Sequence, residues 1–455
     1  MDSLTFPRDF SFGAATASYQ IEGAVWEDGR GPSIWDQFCR RPGAISGGDT
    51  GEVACDHYHR YRQDVAVMRE LGVQAYRFSV AWPRVIPDGD GAVNPAGLDH
   101  YSRLVDELLG AGITPFVTLF HWDLPLALQQ RYGGFTDRRC IDAFLKYVEQ
   151  VVTVLGDRVK NWITFNEPWV YAVLGHLLGV HAPGLRKPRV AFRVAHHQLV
   201  AHGHAVGLIR RVCPDAQVGI TLNLAPVHGV DHSPGTARAV EMADQALNRF
   251  FLDALFRGSY PQRFWRRLSV LRPPVRSGDM ETIATPVDFL GINNYTRHLA
   301  RRSFSNPPFF FDMDGTTPPE REYTAMGWEV YPQGLYEVLM RVKNEYGNPP
   351  VYITENGAAF TDAIAGGDDD GGAGARVEDP RRVAYLDGYL RCAHQALGEG
   401  CDLRGYFVWS LMDNFEWAEG YAKRFGIVYV DYPTQRRIVK ASGRWYAGLI
   451  AASRG

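Results

Sequence analysis

Val159-Lys160-Asn161-Trp162-Ile163-Thr164-Phe165-Asn166-Glu167-Pro168 is a β-branched and aromatic run that closes on a carboxylate. Pro350-Val351-Tyr352-Ile353-Thr354-Glu355-Asn356-Gly357 is built the same way. Each reads as a strand whose last residue presents an acid. The two glutamates lie far apart in sequence, so only tertiary structure could bring them together.

Six more β-rich runs appear on either side: Phe10–Ala17, Gln74–Val80, Ile113–Phe120, Gln217–Asn223, Asp288–Tyr295 and Leu403–Ser410. Helical periodicity lies between several of them. Tyr58, Tyr61, Val65, Met68 and Leu71 recur at three- and four-residue steps, as do Tyr101, Leu104, Val105 and Leu108. Pro380–Leu397 has the same character, and Asp379-Pro380 reads as an N-cap with a first-turn proline. Strand–helix alternation predicts parallel strands, and eight of them predict an α/β fold, a single (β/α)8 TIM barrel spanning residues 1–455. An open doubly wound sheet would want a Gly-rich phosphate turn, which is missing.

A barrel of this kind carries its chemistry at the C-terminal ends of the strands. Gln20, Arg77, His121-Trp122, Asn166-Glu167, Asn223, Asn293, Tyr295, Glu355 and Trp409 fall in or just after the eight runs. Amides, imidazole, carboxylates and indoles in one ring suit a polyhydroxylated ligand. Two carboxylates facing each other there would be the pair that cleaves a glycosidic bond.

The composition excludes other classes. With 455 residues, 45% hydrophobic and a net charge of −3, the chain has ample core material and no basic footprint for nucleic acid or anionic membrane. Six scattered cysteines without CxxC spacing point to neither zinc nor a disulfide framework. Met1 to Gly23 shows no basic segment followed by an apolar run, and no stretch approaches the roughly 18 apolar residues of a membrane helix. A cytoplasmic location is the expectation. His196, His197, His202 and His204 fall in one helical stretch without a carboxylate pair on one face, so they read as core or solvated histidines. Gly366 to Gly374 is glycine-rich and charged; its Asp368–Asp370 do not match the spacing of an EF-hand calcium loop. Asn306 through Pro319 reads as a second long irregular stretch.

Phe12-Gly13-Ala14-Ala15-Thr16-Ala17-Ser18-Tyr19-Gln20-Ile21-Glu22-Gly23, Tyr76-Arg77-Phe78-Ser79, His121-Trp122-Asp123-Leu124-Pro125, the two glutamate motifs and Trp409-Ser410-Leu411-Met412-Asp413-Asn414-Phe415-Glu416-Trp417 occur in order at barrel spacing. Together they resemble glycoside hydrolase family 1 from Phe6 to about Leu449, with its bacterial β-glucosidases especially similar around Glu416 to Asp431. The resemblance implies that Glu355 is the nucleophile and Glu167 the acid/base of a retaining, two-step reaction. Arg77 and Tyr295 would favour an ionised Glu355, whereas burial and the charge of Glu355 would keep a proton on Glu167. By the same resemblance Asn166 meets the sugar's 2-hydroxyl, and Gln20, His121, Trp409, Glu416 and Trp417 hold the non-reducing sugar. Asn293 joins this set; Trp122 either packs or touches sugar, and Trp328 is similar to the family's platform for the leaving group.

The implied activity is a retaining β-glucosidase acting on cellobiose and on aryl or alkyl β-glucosides, with galactosidase and fucosidase side activities. It needs no metal or cofactor, and its partner is the small-molecule sugar; oligomeric state and natural aglycone stay open. A phosphosugar-specific relative would carry Ser at 416 and Tyr at 425, where this chain has Glu416 and Phe425 beside Lys423. A transglucosylating enzyme would share the same intermediate. A silent sugar-binding protein would be expected to have lost Glu167 or Glu355. Departures fall at Asn294, Leu126 and Phe135, where the family often has tyrosine, a polar residue and tryptophan. They bear on the preference for a leaving group.

Overall fold

The computed structural model describes residues 4–313, 318–365 and 374–454. The loop expected around Asp368–Asp370 lies outside the described residues.

Eight parallel strands close a barrel: β1 (Ser11–Ala15), β2 (Ala75–Ser79), β3 (Thr114–Thr118), β4 (Asn161–Asn166), β5 (Gln217–Asn223), β6 (Phe289–Asn293), β7 (Val351–Asn356) and β8 (Leu403–Trp409). Each successive strand pairs with the next, and β8 pairs with β1. All eight predicted runs are strands, their ends differing from the prediction by no more than two residues. Parallel neighbours need a crossover, and a helix follows each strand. These are α1 (His57–Glu70), α2 (Pro95–Gly110), α3 (Arg139–Leu155), α4 (Pro188–Val212), α5 (Pro234–Asp244, running on through a π-helical turn to Arg257), α6 (Gln333–Glu345), α7 (Pro380–Gly398) and α8 (Ala441–Arg454). In α3 the buried Ile141, Phe144, Val148, Val151, Val152 and Leu155 follow helical spacing, which turns one apolar face to the barrel.

Aromatic rings fill the barrel floor. Phe116 packs on Phe407 at 4.9 Å and on Tyr352 at 5.2 Å, and Tyr352 on Phe289 at 5.3 Å. A side chain at Gly13 would lie 2.3 Å from the Phe407 ring, so glycine makes the room that ring occupies.

Two details depart from the sequence reading. Asp379 stands at the N-cap of α7, but its carboxylate does not cap the helix; Arg382 and Ser442 take it instead. Those bonds belong to a buried ionic cluster in which Lys440 donates to Asp413 at 2.7 Å and to Asp362 at 2.5 Å, while Arg382 and Arg424 donate to the same acids. A charged partner inside the fold outcompetes a helix end near its surface. Second, the stretch expected to be irregular contains Phe311–Met313, which pairs antiparallel with His298–Arg302 beside Val227–Gly229 in a small sheet.

Candidate active site

The two glutamates sit where strand becomes loop or helix. Pro168 opens a short helix (Pro168–Val173) whose N-cap is Glu167, with φ +45° and ψ +66°. The left-handed backbone is uncommon for a residue with a side chain, and the carboxylate makes no capping bond. It faces the site instead. β7 carries a register shift between Ile353 and Glu355 in its pairing with β6, and β4 carries one between Ile163 and Asn166 against β5. Such irregularities re-aim side chains at strand ends.

Arg77 is the hub below both acids. Fully buried, it donates from Nη1 to Glu355 Oε1 at 2.5 Å and to the Thr354 carbonyl at 3.2 Å. From Nη2 it donates to Asn166 Oδ1 at 2.6 Å, and from Nε to Thr118 Oγ1 at 3.1 Å. Tyr295 donates its hydroxyl to the other Glu355 oxygen at 2.6 Å. Among the described residues Glu167 receives one side-chain donor, the neutral Asn293 Nδ2 at 2.7 Å.

These partners separate the two acids. Burial pushes Glu167 up to about 8, and the nearby charge of Glu355 adds to the rise; the Asn293 bond and Arg77 oppose it. Burial raises Glu355 as well, but the Arg77 guanidinium and the Tyr295 hydroxyl pull it back. A proton shared by the pair therefore rests on Glu167. Glu416, half-buried, is also pushed up to about 8, by desolvation first and the charge of Glu355 second.

The remaining predicted residues converge here too. Gln20, on the short helix Ser18–Ile21 after β1, donates to Asn414 Oδ1 at 3.0 Å, the Phe415 carbonyl at 2.9 Å and Glu416 Oε2 at 3.3 Å. Asn166 Oδ1 accepts from both Arg77 and Asn293, which orients the amide; its Nδ2 donates to His121 Nε2 at 2.9 Å. His121 therefore carries its own proton on Nδ1, and burial with the Arg77 charge holds the ring neutral. Gln20 Oε1 and His121 Nδ1 are buried with no hydrogen-bond partner among the described residues. Trp122 donates to the Asn166 carbonyl at 2.9 Å and packs on Trp417 at 4.7 Å. Both have positive φ, +74° and +48°. Trp409 lies 6.0 Å from His121 with nearly parallel rings. Trp328 reaches the rim, 5.3 Å from Tyr295 and 6.1 Å from Phe425.

Other sequence readings resolve as follows. Asn294 turns to the Leu224 carbonyl at 2.8 Å, as alternation along β6 demands. Phe135 is fully buried against Phe120 and Phe165, and Leu126 is half-buried. His196 meets Tyr260 and Asp279, His197 the Phe135 carbonyl and His202 the Thr164 hydroxyl, while His204 is exposed. No cluster of metal-binding side chains occurs among the described residues. Lys423 donates to the Ala325 carbonyl at 2.7 Å. Thr354 and Asn414 escaped the sequence reading. Thr354 Oγ1 donates to Asn293 Oδ1 at 2.7 Å and accepts from Thr221 at 3.2 Å, so it sets which end of the Asn293 amide faces Glu167. Its signal was its place beside Glu355 in the motif.

The profile of Glycosyl hydrolase family 1 matches residues 2–454. The chain belongs to this family. Among family members, β-glucosidase A of Thermotoga maritima is 49% identical over 451 residues, covering 99% of this chain and 98% of that one. The bifunctional β-D-glucosidase/β-D-fucosidase of Bifidobacterium breve is 44% identical, covering 99% of each chain. A solved structure of the family 1 β-glucosidase from T. maritima superimposes with a TM-score of 0.94 at 48% identity, covering 99% of both chains. The same enzyme in complex with deoxynojirimycin gives 0.93. No helix among the described residues is long and apolar enough to cross a membrane.

Proposed function

We propose that the chain is a retaining β-glucosidase and that Glu355 and Glu167 carry its two steps. One observation bears most of the weight: two buried carboxylates at one rim, one held by a guanidinium and a phenol, the other only by an amide. Glu355 attacks the anomeric carbon as a carboxylate, while protonated Glu167 donates to the departing oxygen. Forming the glycosyl-enzyme removes the charge of Glu355, so Glu167 loses its proton more readily and serves as base for the incoming water. Asn166 keeps one amide hydrogen for the sugar's 2-hydroxyl. The unpaired Gln20 Oε1 and His121 Nδ1, with Glu416, meet the outer hydroxyls, and Trp409 and Trp417 supply apolar faces.

Terminal β-D-glucosyl residues are the substrate class, and the B. breve relative supports fucoside turnover as well. Glu416 offers a sugar phosphate no positive charge, and its ionised form would repel one. The chain acts as one catalytic domain, and its six unpaired cysteines support a reducing, cytoplasmic setting. A panel of nitrophenyl β-glucoside, β-fucoside, β-galactoside and 6-phospho-β-glucoside tests the reading through kcat/KM. Glucoside and fucoside turnover is expected; a preference for the phosphosugar would overturn it.

A further inference from the structure

Past Asn293 the backbone leaves β6, and side chains take over from the neighbouring strand. The Asn294 N–H still donates to the Glu355 carbonyl at 3.1 Å. The Asn294 carbonyl accepts instead from a side chain, Asn356 Nδ2 at the end of β7, at 2.6 Å. The next carbonyl, that of Tyr295, accepts from two phenols of α7: Tyr385 at 2.9 Å and Tyr389 at 2.8 Å. One donor would satisfy this carbonyl; two occupy both of its lone pairs and fix its direction.

Tyr385 and Tyr389 stand one turn apart on α7, and their buried rings stack at 4.2 Å. A phenylalanine pair would stack as well, so packing leaves the two hydroxyls to be explained. Each hydroxyl also accepts an N–H: Tyr385 from Asn356 Nδ2 and Tyr389 from the Tyr331 backbone, both at 3.2 Å. With a donor on one side, each turns its single hydrogen to the Tyr295 carbonyl. Tyr389 thereby also ties down the segment that carries Trp328, whose ring packs on Tyr295 at 5.3 Å. The peptide group so anchored belongs to the residue whose phenol donates to Glu355 Oε2 at 2.6 Å. Since Tyr295 lies beyond its strand, the hold on its backbone decides where that phenol points.

We infer that Tyr385 and Tyr389 are positioning residues for the reaction: by anchoring the Tyr295 carbonyl they hold the Tyr295 phenol on the nucleophile. The inference rests on the β-glucosidase reading, with Glu355 as that nucleophile. The pair acts through Tyr295 and needs no contact with the sugar. The charged or titratable groups around Glu355 are Arg77 from β2, Glu167 from β4, Tyr295 after β6 and Glu416 after β8. Of these, Tyr295 is the one whose backbone the pair holds. Loosening its bond disfavours the ionised form of Glu355, so the acid limb of kcat/KM moves to higher pH.

The test is the pH profile of kcat/KM on nitrophenyl β-glucoside for the full chain, for Tyr385→Phe, for Tyr389→Phe and for the double variant. The double variant is expected to raise the acid limb by about half a unit to one unit and to lower kcat about ten-fold, each single change by less. In a Tyr295→Phe background, where the phenol is gone, the same pair should add no further rise. Thermal melts report the fold of each variant; if the double variant does not fold, Tyr389→Phe in the two backgrounds carries the test. A lowered Tm with an unmoved acid limb would make the pair merely structural and overturn the inference. A rise that adds in full on Tyr295→Phe overturns it too, because the effect would then bypass Tyr295. If the unaltered chain cleaves no glucoside at any pH, the β-glucosidase reading itself falls.

Discussion

Asn293 donates to Glu167 at 2.7 Å, and that neutral amide is the only side chain hydrogen-bonded to this carboxyl among the described residues. Arg77 and Tyr295 grip Glu355 at 2.5 and 2.6 Å. The difference between an amide and a guanidinium assigns the proton, and with it the direction of the chemistry. The alkaline limb of kcat/KM should fall near pH 8, where Glu167 loses its proton. Asn293→Ala removes a bond that favours the ionised form, so the limb should move to higher pH. A limb that stays fixed or moves down would refute the assignment.

Removing either carboxylate should give opposite stereochemistry on rescue. Glu355→Gly is expected to abolish turnover, and azide should restore it as the α-glucosyl azide. Glu167→Ala should lose about 10²–10⁴-fold on poor leaving groups but much less on dinitrophenyl glucoside, which needs no acid. With azide it should yield the β-anomer. NMR of the azide products decides; the reverse pattern would exchange the two roles.

Stability should record the same proton. Glu167 is raised in the fold from an ordinary value of 4.5 to about 8. Between those values the unfolded chain releases the proton and the folded chain keeps it, so stability falls as pH rises and then levels off. Glu167→Gln lacks this loss. Its Tm advantage over the parent should therefore be smallest below pH 4.5 and grow to about pH 8. Calorimetry showing a constant difference would contradict the raised value.

Thr354 is expected to act through Asn293. Thr354→Val removes the donor to Asn293 Oδ1 and frees the amide to rotate. A fall in kcat of about 10- to 10²-fold, with a displaced alkaline limb, should follow. Thr354→Ser keeps the donor and should restore both. A Ser variant as impaired as Val would mean that the methyl group, not the hydrogen bond, is what counts.

The ionic cluster behind β7 and β8 makes a separate prediction. Lys440→Met leaves Asp362 and Asp413 buried without their shared cation. The expected cost is about 3–5 kcal/mol. Denaturant melts should show it as a lower midpoint; a shift of under about 1 kcal/mol would indicate that Arg382 and Arg424 suffice.

The barrel was legible because short β-rich runs and helical periodicity alternate without interruption, and each run survives as a strand. Glu167 and Glu355 were legible because each closes its run. Thr354 was not: strict alternation would turn it away from a site that its neighbour Glu355 faces, and the irregular pairing of β7 is a property of the sheet, not of the residues read alone. Asp379 holds the N-cap position read for it, with Pro380 in the first turn, but its carboxylate is claimed by Arg382 one turn on and by Ser442, a partner that only the tertiary fold brings near. The strand Phe311–Met313 is too short, and too close to Pro307-Pro308, to announce itself.

The fixed amide of Asn166 gives the site a one-way grain. Its oxygen is already saturated by Arg77 and Asn293, so any hydroxyl that meets this residue can only accept. Having accepted, that hydroxyl is expected to point its own hydrogen onward to the next acceptor, which for a glucoside bound as proposed is the carboxylate of Glu355. A substituent that accepts but cannot donate, such as fluorine, would keep the first link of this relay and sever the second.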